Sequence, residues 1–390
     1  VNPEIERMRR ADSAATRFRA ATGGMSLLRL VLPNDLKGHR ERFLRDAERG
    51  APDNPRFTYT EPDGKRAEDL RKVHADAVSR GDPWHQLIAD EAERYLFGYR
   101  ACASHDAVRI TEATSRENGT PDADLLADAL RILRTEKHDT PGQRRPELNS
   151  DDASAAIADV LGEEDLSDWT VLVKPDMAAR MSVSMADRSV RIRADIRLSE
   201  DELVRLITHE IGTHVFRWKN AVAGANILGL QLSGHTATEE GLAVWNEQRV
   251  SDGDSLDRRF ALRVVAVHTA LEGSFTDVVR ALVPYTPLGS AFDVAVRVKR
   301  GLTDTSVAGG FVKDHVYLSG YRMLQRHLNG HPGDHDLLMS SKWPLHRLDL
   351  LRDADLVAGL GDGIRRPDGA FVARVRARVR QRRKPPTADG

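Results

Sequence analysis

The residues that speak most directly of chemistry are His209, Glu210 and His214, in the run His209-Glu210-Ile211-Gly212-Thr213-His214. Two imidazoles and a carboxylate on neighbouring helical turns form the core of a hydrolytic zinc site. Neutral histidine nitrogens ligate the metal, and the glutamate takes a proton from water. The common peptidase spacing, His-Glu-x-x-His, sets the histidines four apart, whereas here they are five apart. At 3.6 residues per turn, five residues rotate the chain by about 500°, leaving the second imidazole about 140° off the first. A regular α-helix cannot aim both rings at one ion. A π-type turn restores the alignment, and Gly212, between the histidines, is where a distorted backbone costs least. The spacing therefore predicts a bulged helix near Gly212 if a metal is held.

Two histidines make a poorly defined site, so a third ligand is needed. Downstream lies Thr236-Ala237-Thr238-Glu239-Glu240-Gly241-Leu242-Ala243, which reads as another helix start. Thr236 and Glu239 fit a capping box, which would turn Glu239 back to the helix end and leave Glu240 to project to the metal. On this reading Glu239→Ala keeps the metal. His235 is close enough to compete, but a histidine beside a cap is more often a supporting or surface residue.

The elements that must position these groups are legible nearby. Residues 169–173, 181–185 and 190–196 read as strands, with Asp187-Arg188 as a tight connection. Ser199-Glu200-Asp201-Glu202 is a capping box, and the apolar stripe Leu203, Leu206, Ile207, Ile211, Val215 and Trp218 carries a helix to about residue 218. Further upstream, helices are expected over about 40–49, 83–104 and 123–134. Pro141, Gly142 and Pro146 make 137–152 the best boundary, so residues 1–150 form a helical N-terminal region and 151–362 the unit bearing the histidines. Residues 363–390 form a basic tail, expected to be a solvated run, an edge strand, or a dock for an acidic protein surface or nucleic acid.

Composition narrows the function. At 390 residues the chain exceeds one ordinary hydrophobic core, and its formal net charge of -1 gives no global reason to expect nucleic acid. No apolar run approaches the roughly 20 residues needed to span a bilayer, and the first residues lack a basic-then-apolar signal layout. The single cysteine, Cys102, forms no internal disulfide, so a cytoplasmic setting is expected, with Cys102 a buried small hydrophobe.

His209-Glu210-x-x-x-His214 with Glu239-Glu240-Gly241-Leu242-Ala243 resembles the tubulin tyrosine carboxypeptidase-like metallopeptidases. Their bacterial branch carries a "QEGLA" motif and is named for modulating flavohaemoglobin expression. Here Glu239 stands where that branch has Gln. Further likeness lies in Asn54-Pro55-Arg56-Phe57-Thr58-Tyr59, Arg300-Gly301-Leu302-Thr303-Asp304-Thr305 and residues 309–318, so that roughly residues 30–350 are covered. The resemblance implies an α+β, mainly helical protein: a zincin-like catalytic unit with a small sheet beside the active-site helix, and a helical N-terminal region. It also implies removal of a C-terminal residue from a protein or peptide. His209, His214 and Glu240 would then be ligands of Zn2+, and Glu210 the general base.

A carboxypeptidase must also neutralise the substrate's terminal carboxylate and stabilise an oxyanion. Arg300 or Lys313 suits the first task and Tyr317 or His315 the second, with Lys313 and Tyr317 four apart and so on one face of a helix. Two other readings keep the metal: a zinc-dependent amidase or deconjugating hydrolase, and a regulatory binding protein with a structural ion. Glu210 speaks against the last, since a structural site needs a closed ligand set and no base.

Overall fold

A computed structural model of the chain describes residues 3–23, 27–62, 64–135, 148–175, 177, 179–250, 256–353 and 363–382. The protein is α+β and mainly helical, with one three-stranded sheet. Two compact units divide it. The first comprises residues 1–138, 230–237 and 255–320, and the second 139–229, 238–254 and 321–390. These units cut the chain differently from the consecutive segments 1–150 and 151–362 expected from composition. Residues 255–320 belong with the N-terminal helices: Phe57 N–H bonds to the Thr303 carbonyl at 3.0 Å, and Arg258 reaches the Leu133 carbonyl at 2.8 Å. Most of the expected linker at 137–152 lies outside the described residues.

Among the described residues the first unit is helix and loop, with one isolated antiparallel bridge, Arg56 to Asp304. Pro83–Ser104 and Ala123–Thr135 are helical as their apolar spacing requires, and the charged run around Phe43 forms Leu36–Glu48. Phe43, Phe57, Phe275 and Phe292 meet through tilted and edge-to-face rings 5.2–6.1 Å apart. Cys102 packs with Val31, Ile110, Leu302 and Phe311 in a core cluster. Gly301 closes that cluster at φ 91°, where a Cβ would meet Val31 at 2.8 Å and Ile110 at 2.9 Å. Lys299 is fully buried, its ammonium facing the carbonyls of Ala270 at 3.2 Å, Val307 at 2.8 Å and Gly309 at 2.7 Å.

The second unit carries the sheet. β1 (Thr170–Lys174), β2 (Met181–Ser184) and β3 (Ser189–Arg193) lie in the order β1-β3-β2, with β1 parallel and β2 antiparallel to β3. Arg188, at φ 47°, makes the tight connection between β2 and β3. Val190 and Ile192 are buried, and the chain then passes through Ser199 into the helix bearing the histidines. The Ser199–Glu202 capping box is formed in both directions, at 3.2 and 2.9 Å.

The basic C-terminal run is a helix, Gly369–Gln381, and neither a strand nor a solvated tail. Phe371, Val375 and Val379 are fully buried, a spacing of four that alternation with arginine disguises. Its arginines pair within the chain, Arg374 with Glu164 at 2.6 Å and Arg378 with Glu163. Residues 383–390 of the expected tail lie outside the described residues. No helix among the described residues is long and apolar enough to cross a membrane.

Candidate metal centre

The helix that begins at Ser199 does not stay regular. Glu200–His209 is α-helical, Glu210–Val215 is a π-turn, and Phe216–Gly224 resumes the α-helix. The bulge required by the five-residue spacing is present and spans Gly212. It re-routes backbone hydrogen bonds, so that the Phe216 N–H reaches Ile211. The Thr208 carbonyl is capped by the Thr213 hydroxyl at 3.1 Å, and Asn246 donates to that hydroxyl at 3.0 Å. The two imidazoles consequently meet edge-on, ring centroids 5.0 Å apart.

Glu240 completes the group. Its Oε2 lies 3.6 Å from His209 Nε2 and 3.7 Å from His214 Nε2. Among the described residues His209, His214 and Glu240 are the one set of three or more such groups placed to hold a metal ion, and all three are buried. The remaining ring nitrogens are held from behind. His209 Nδ1 lies 3.1 Å from Glu247 Oε2, and His214 Nδ1 lies 2.6 Å from Glu239 Oε1. Carboxylates on Nδ1 fix the tautomer that leaves Nε2 with its lone pair, the arrangement usual around ligating histidines. Tetrahedral zinc with bonds of about 2.0–2.1 Å spaces its ligand atoms roughly 3.3 Å apart, close to the separations seen here. The donor set fits the ion.

Glu239 does not form the capping box expected with Thr236. The helix starts at His235, so Thr236 lies inside its first turn, and Glu239 is free to point inward. It accepts from Arg217 and Lys342 as well as meeting His214, and Lys342 also donates to the His214 carbonyl at 3.1 Å. Burial works against a charge on Glu239, but Lys342, Arg217 and His214 outweigh it and hold the carboxyl well below the usual range. Around Glu210 the balance differs. Burial raises its pKa, the two histidines pull it down, and Glu240 and Glu247 add to the rise.

His235 belongs to the first unit, where its Nδ1 lies 3.0 Å from the Leu232 carbonyl. Arg300, Lys313, His315 and Tyr317 also belong to the first unit. Arg300 lies over the Phe311 ring at 4.5 Å and pairs with Asp314 at 3.4 Å, and burial lowers its pKa to about 10. His315 is buried with Nδ1 2.7 Å from the Val312 carbonyl. Tyr317 stacks on Phe260 beneath Arg263. Lys313 sits in a 3₁₀ turn, Val312–His315, and Tyr317 in the α-helix that follows, so the pair is not four apart on one helix as expected.

Sequence reasoning missed Glu247, Arg217, Lys342, Thr213 and Asn246. One signal was available: Glu247 stands seven residues after Glu240, two helical turns along the same face. Nothing local marks Lys342.

Fold and site together define a mainly helical α+β protein whose second unit presents a buried group of two histidines from a bulged helix and a glutamate from the helix after it. Residues 41–358 match the family described as microtubule-associated tyrosine carboxypeptidase. Microtubule-associated tyrosine carboxypeptidase 1 of Mus musculus is 37% identical over 143 residues, which are 35% of this chain and 30% of that protein. The human protein of the same name is 37% identical over 131 residues, 31% of this chain and 27% of its own length. Putative tyrosine carboxypeptidase MATCAP2 of Mus musculus is 29% identical over 171 residues, 41% and 32% of the two chains. The chain thus matches under a third of each of these relatives' length. The chain belongs to the microtubule-associated tyrosine carboxypeptidase family.

Proposed function

We propose that this protein is a zinc metallocarboxypeptidase that removes a C-terminal residue from a protein or peptide. The observation that carries the reading is the convergence of His209 Nε2 and His214 Nε2, on a helix bulged to allow it, with Glu240 Oε2 from the helix His235–Arg249, beside Glu210. Zinc held by these three residues would supply Lewis acidity, lowering the pKa of a water and polarising a peptide carbonyl. Glu210 is the base. A carboxylate in this place would accept a proton from the attacking water and return it to the leaving amine. Glu247 and Glu239 hold the two imidazoles by Nδ1, so neither ring turns while the proton moves. A structural ion would be closed by four protein ligands, and the described group offers three.

Its relatives' names support a C-terminal tyrosine as the first residue to try. The test is mass spectrometry of peptides ending in tyrosine and in other residues, incubated with wild type and with Glu210→Gln. Loss of one C-terminal residue with wild type alone is expected. Cleavage of a different amide, with every C-terminus intact, would transfer the reading to the deconjugating class, and equal activity from Glu210→Gln would remove Glu210 from its role. The same assay reads Arg300 and Lys313, offered by the sequence pattern for the terminal carboxylate, as changes in KM. Tyr317 and His315, offered for the oxyanion, are read as changes in kcat.

A further inference from the structure

We infer that Phe371, on the C-terminal helix Gly369–Gln381, is a positioning residue for the histidine pair. It braces the π-turn at Gly212, and so ties metal affinity to the docking of a helix beyond the matched residues 41–358. The inference rests on the reading of His209, His214 and Glu240 as the group that holds the metal.

A π-turn is a strained insertion that a helix keeps only where its surroundings enforce it. Relaxation to regular helix would displace His214 by about 100° per residue and separate the two imidazoles. Two sets of contacts oppose this. On one side the Thr213 hydroxyl caps the Thr208 carbonyl and itself accepts from Asn246. On the other, the C-terminal segment presses on the turn itself. A Cβ at Gly212 would lie 3.0 Å from Phe371 and 3.0 Å from Pro367, so glycine is what admits them. The Phe371 ring also meets Phe216, the first residue after the turn, edge-on at 5.1 Å. One fully buried ring therefore touches the bulge at its middle and the residue that follows it.

The segment is fixed where it enters. Asn220 donates to the Arg365 carbonyl at 2.8 Å and accepts from the Arg365 N–H at 2.9 Å. Asp368 caps the helix through the Phe371 N–H at 2.9 Å. Beyond Phe371, Val375 and Val379 are fully buried, and Arg374, Arg378 and Arg382 pair with Glu164, Glu163 and Asp159 on the helix Ser150–Glu163 and its cap.

The experiment compares wild type, Phe371→Ala, Phe371→Leu and Val379→Ala. Each is assayed for zinc affinity by chelator competition, for the visible spectrum of its Co2+ form, and for thermal stability without metal. Val379→Ala empties an equally buried position of the same helix and serves as the control for packing loss. Phe371→Ala is expected to weaken zinc binding by about tenfold to a hundredfold, the range for residues that orient ligands, and to alter the Co2+ spectrum. Val379→Ala should leave both near wild type while lowering stability. Wild-type affinity and spectrum in Phe371→Ala would overturn the inference, as would equal effects of both alanine variants in step with their stability. Should Phe371→Ala fail to fold, Phe371→Leu decides by a smaller change in the same direction or by none. A wild type that binds no metal would refute the metal reading, and this inference with it.

Discussion

Glu239→Gln is the substitution whose outcome the structure specifies most closely. The carboxylate is 7% exposed, and the two cations it accepts from, Arg217 and Lys342, are 0% and 3% exposed. Gln keeps the shape and one acceptor oxygen but removes the negative charge, leaving two buried cations facing a neutral group. Breaking a buried ion pair by neutralising one partner costs about 3–5 kcal/mol. The wider network that Arg217 keeps, to the carbonyls of Leu338 at 2.7 Å and Trp343 at 3.2 Å, places the expectation near the lower bound. A loss of about 3 kcal/mol is therefore expected in the urea unfolding of metal-free protein at neutral pH. His214 also loses its carboxylate brace, so zinc affinity should fall about tenfold to a hundredfold. The acid limb gives an independent check. Because the folded-state pKa of Glu239 is depressed, its contribution is present above the ordinary glutamate value of about 4.3 and is lost as pH falls through the folded value. The variant should lack that part of the acid sensitivity. A loss under about 1 kcal/mol with unchanged zinc affinity would refute the reasoning, because a formed Arg217–Glu239–Lys342 network cannot be neutralised so cheaply.

Glu247→Gln should weaken zinc binding by about tenfold through His209, with the ring's tautomer no longer fixed by charge, as read by chelator competition. In metal-free protein, burial disfavours charge on both histidines, but Glu240 with Glu247, and Glu239 with Glu240, outweigh it and raise His209 and His214. Raised histidines stabilise fully below about pH 6.5 and lose that contribution as pH rises through their folded values. Thermal stability without metal should therefore fall above neutrality while zinc affinity climbs, and parallel trends would contradict this. Burial pushes the Cys102 thiol up to about 12, so a thiol reagent should leave the folded protein unmodified at neutral pH and titrate one group on unfolding. Lys299→Met removes the ammonium that faces the Ala270, Val307 and Gly309 carbonyls, and should cost about 2 kcal/mol or more in urea unfolding.

What was legible in the sequence was what local physics determines. The Ser199–Glu202 box depends on four consecutive residues, and the bulge follows from five-residue spacing on a helix whose apolar stripe runs through it. Glu240 stands with the two histidines, on a helix that begins close by in the chain, although the capping argument that singled it out from Glu239 did not hold. The reading failed where distant residues choose a side chain's partner. Thr236 and Glu239 have capping-box spacing, yet Arg217 and Lys342 offer Glu239 two charges against one backbone N–H, and the helix starts two residues before the position such a box requires. The C-terminal arginines looked solvated because their acids, Glu163, Glu164 and Asp159, stand some two hundred residues away. The division into units was hidden for the same reason, since pairings such as Phe57 with Thr303 carry no local mark.

The most direct test of the central claim is metal analysis of purified protein, reloaded after chelation, for wild type and for His209→Ala, His214→Ala, Glu240→Ala and Glu210→Gln. One zinc per chain is expected in wild type and in Glu210→Gln, and loss of the ion in each of the other three. Retention of zinc by Glu240→Ala, or its loss from Glu210→Gln with the fold intact, would contradict the ligand set and the catalytic role built on it.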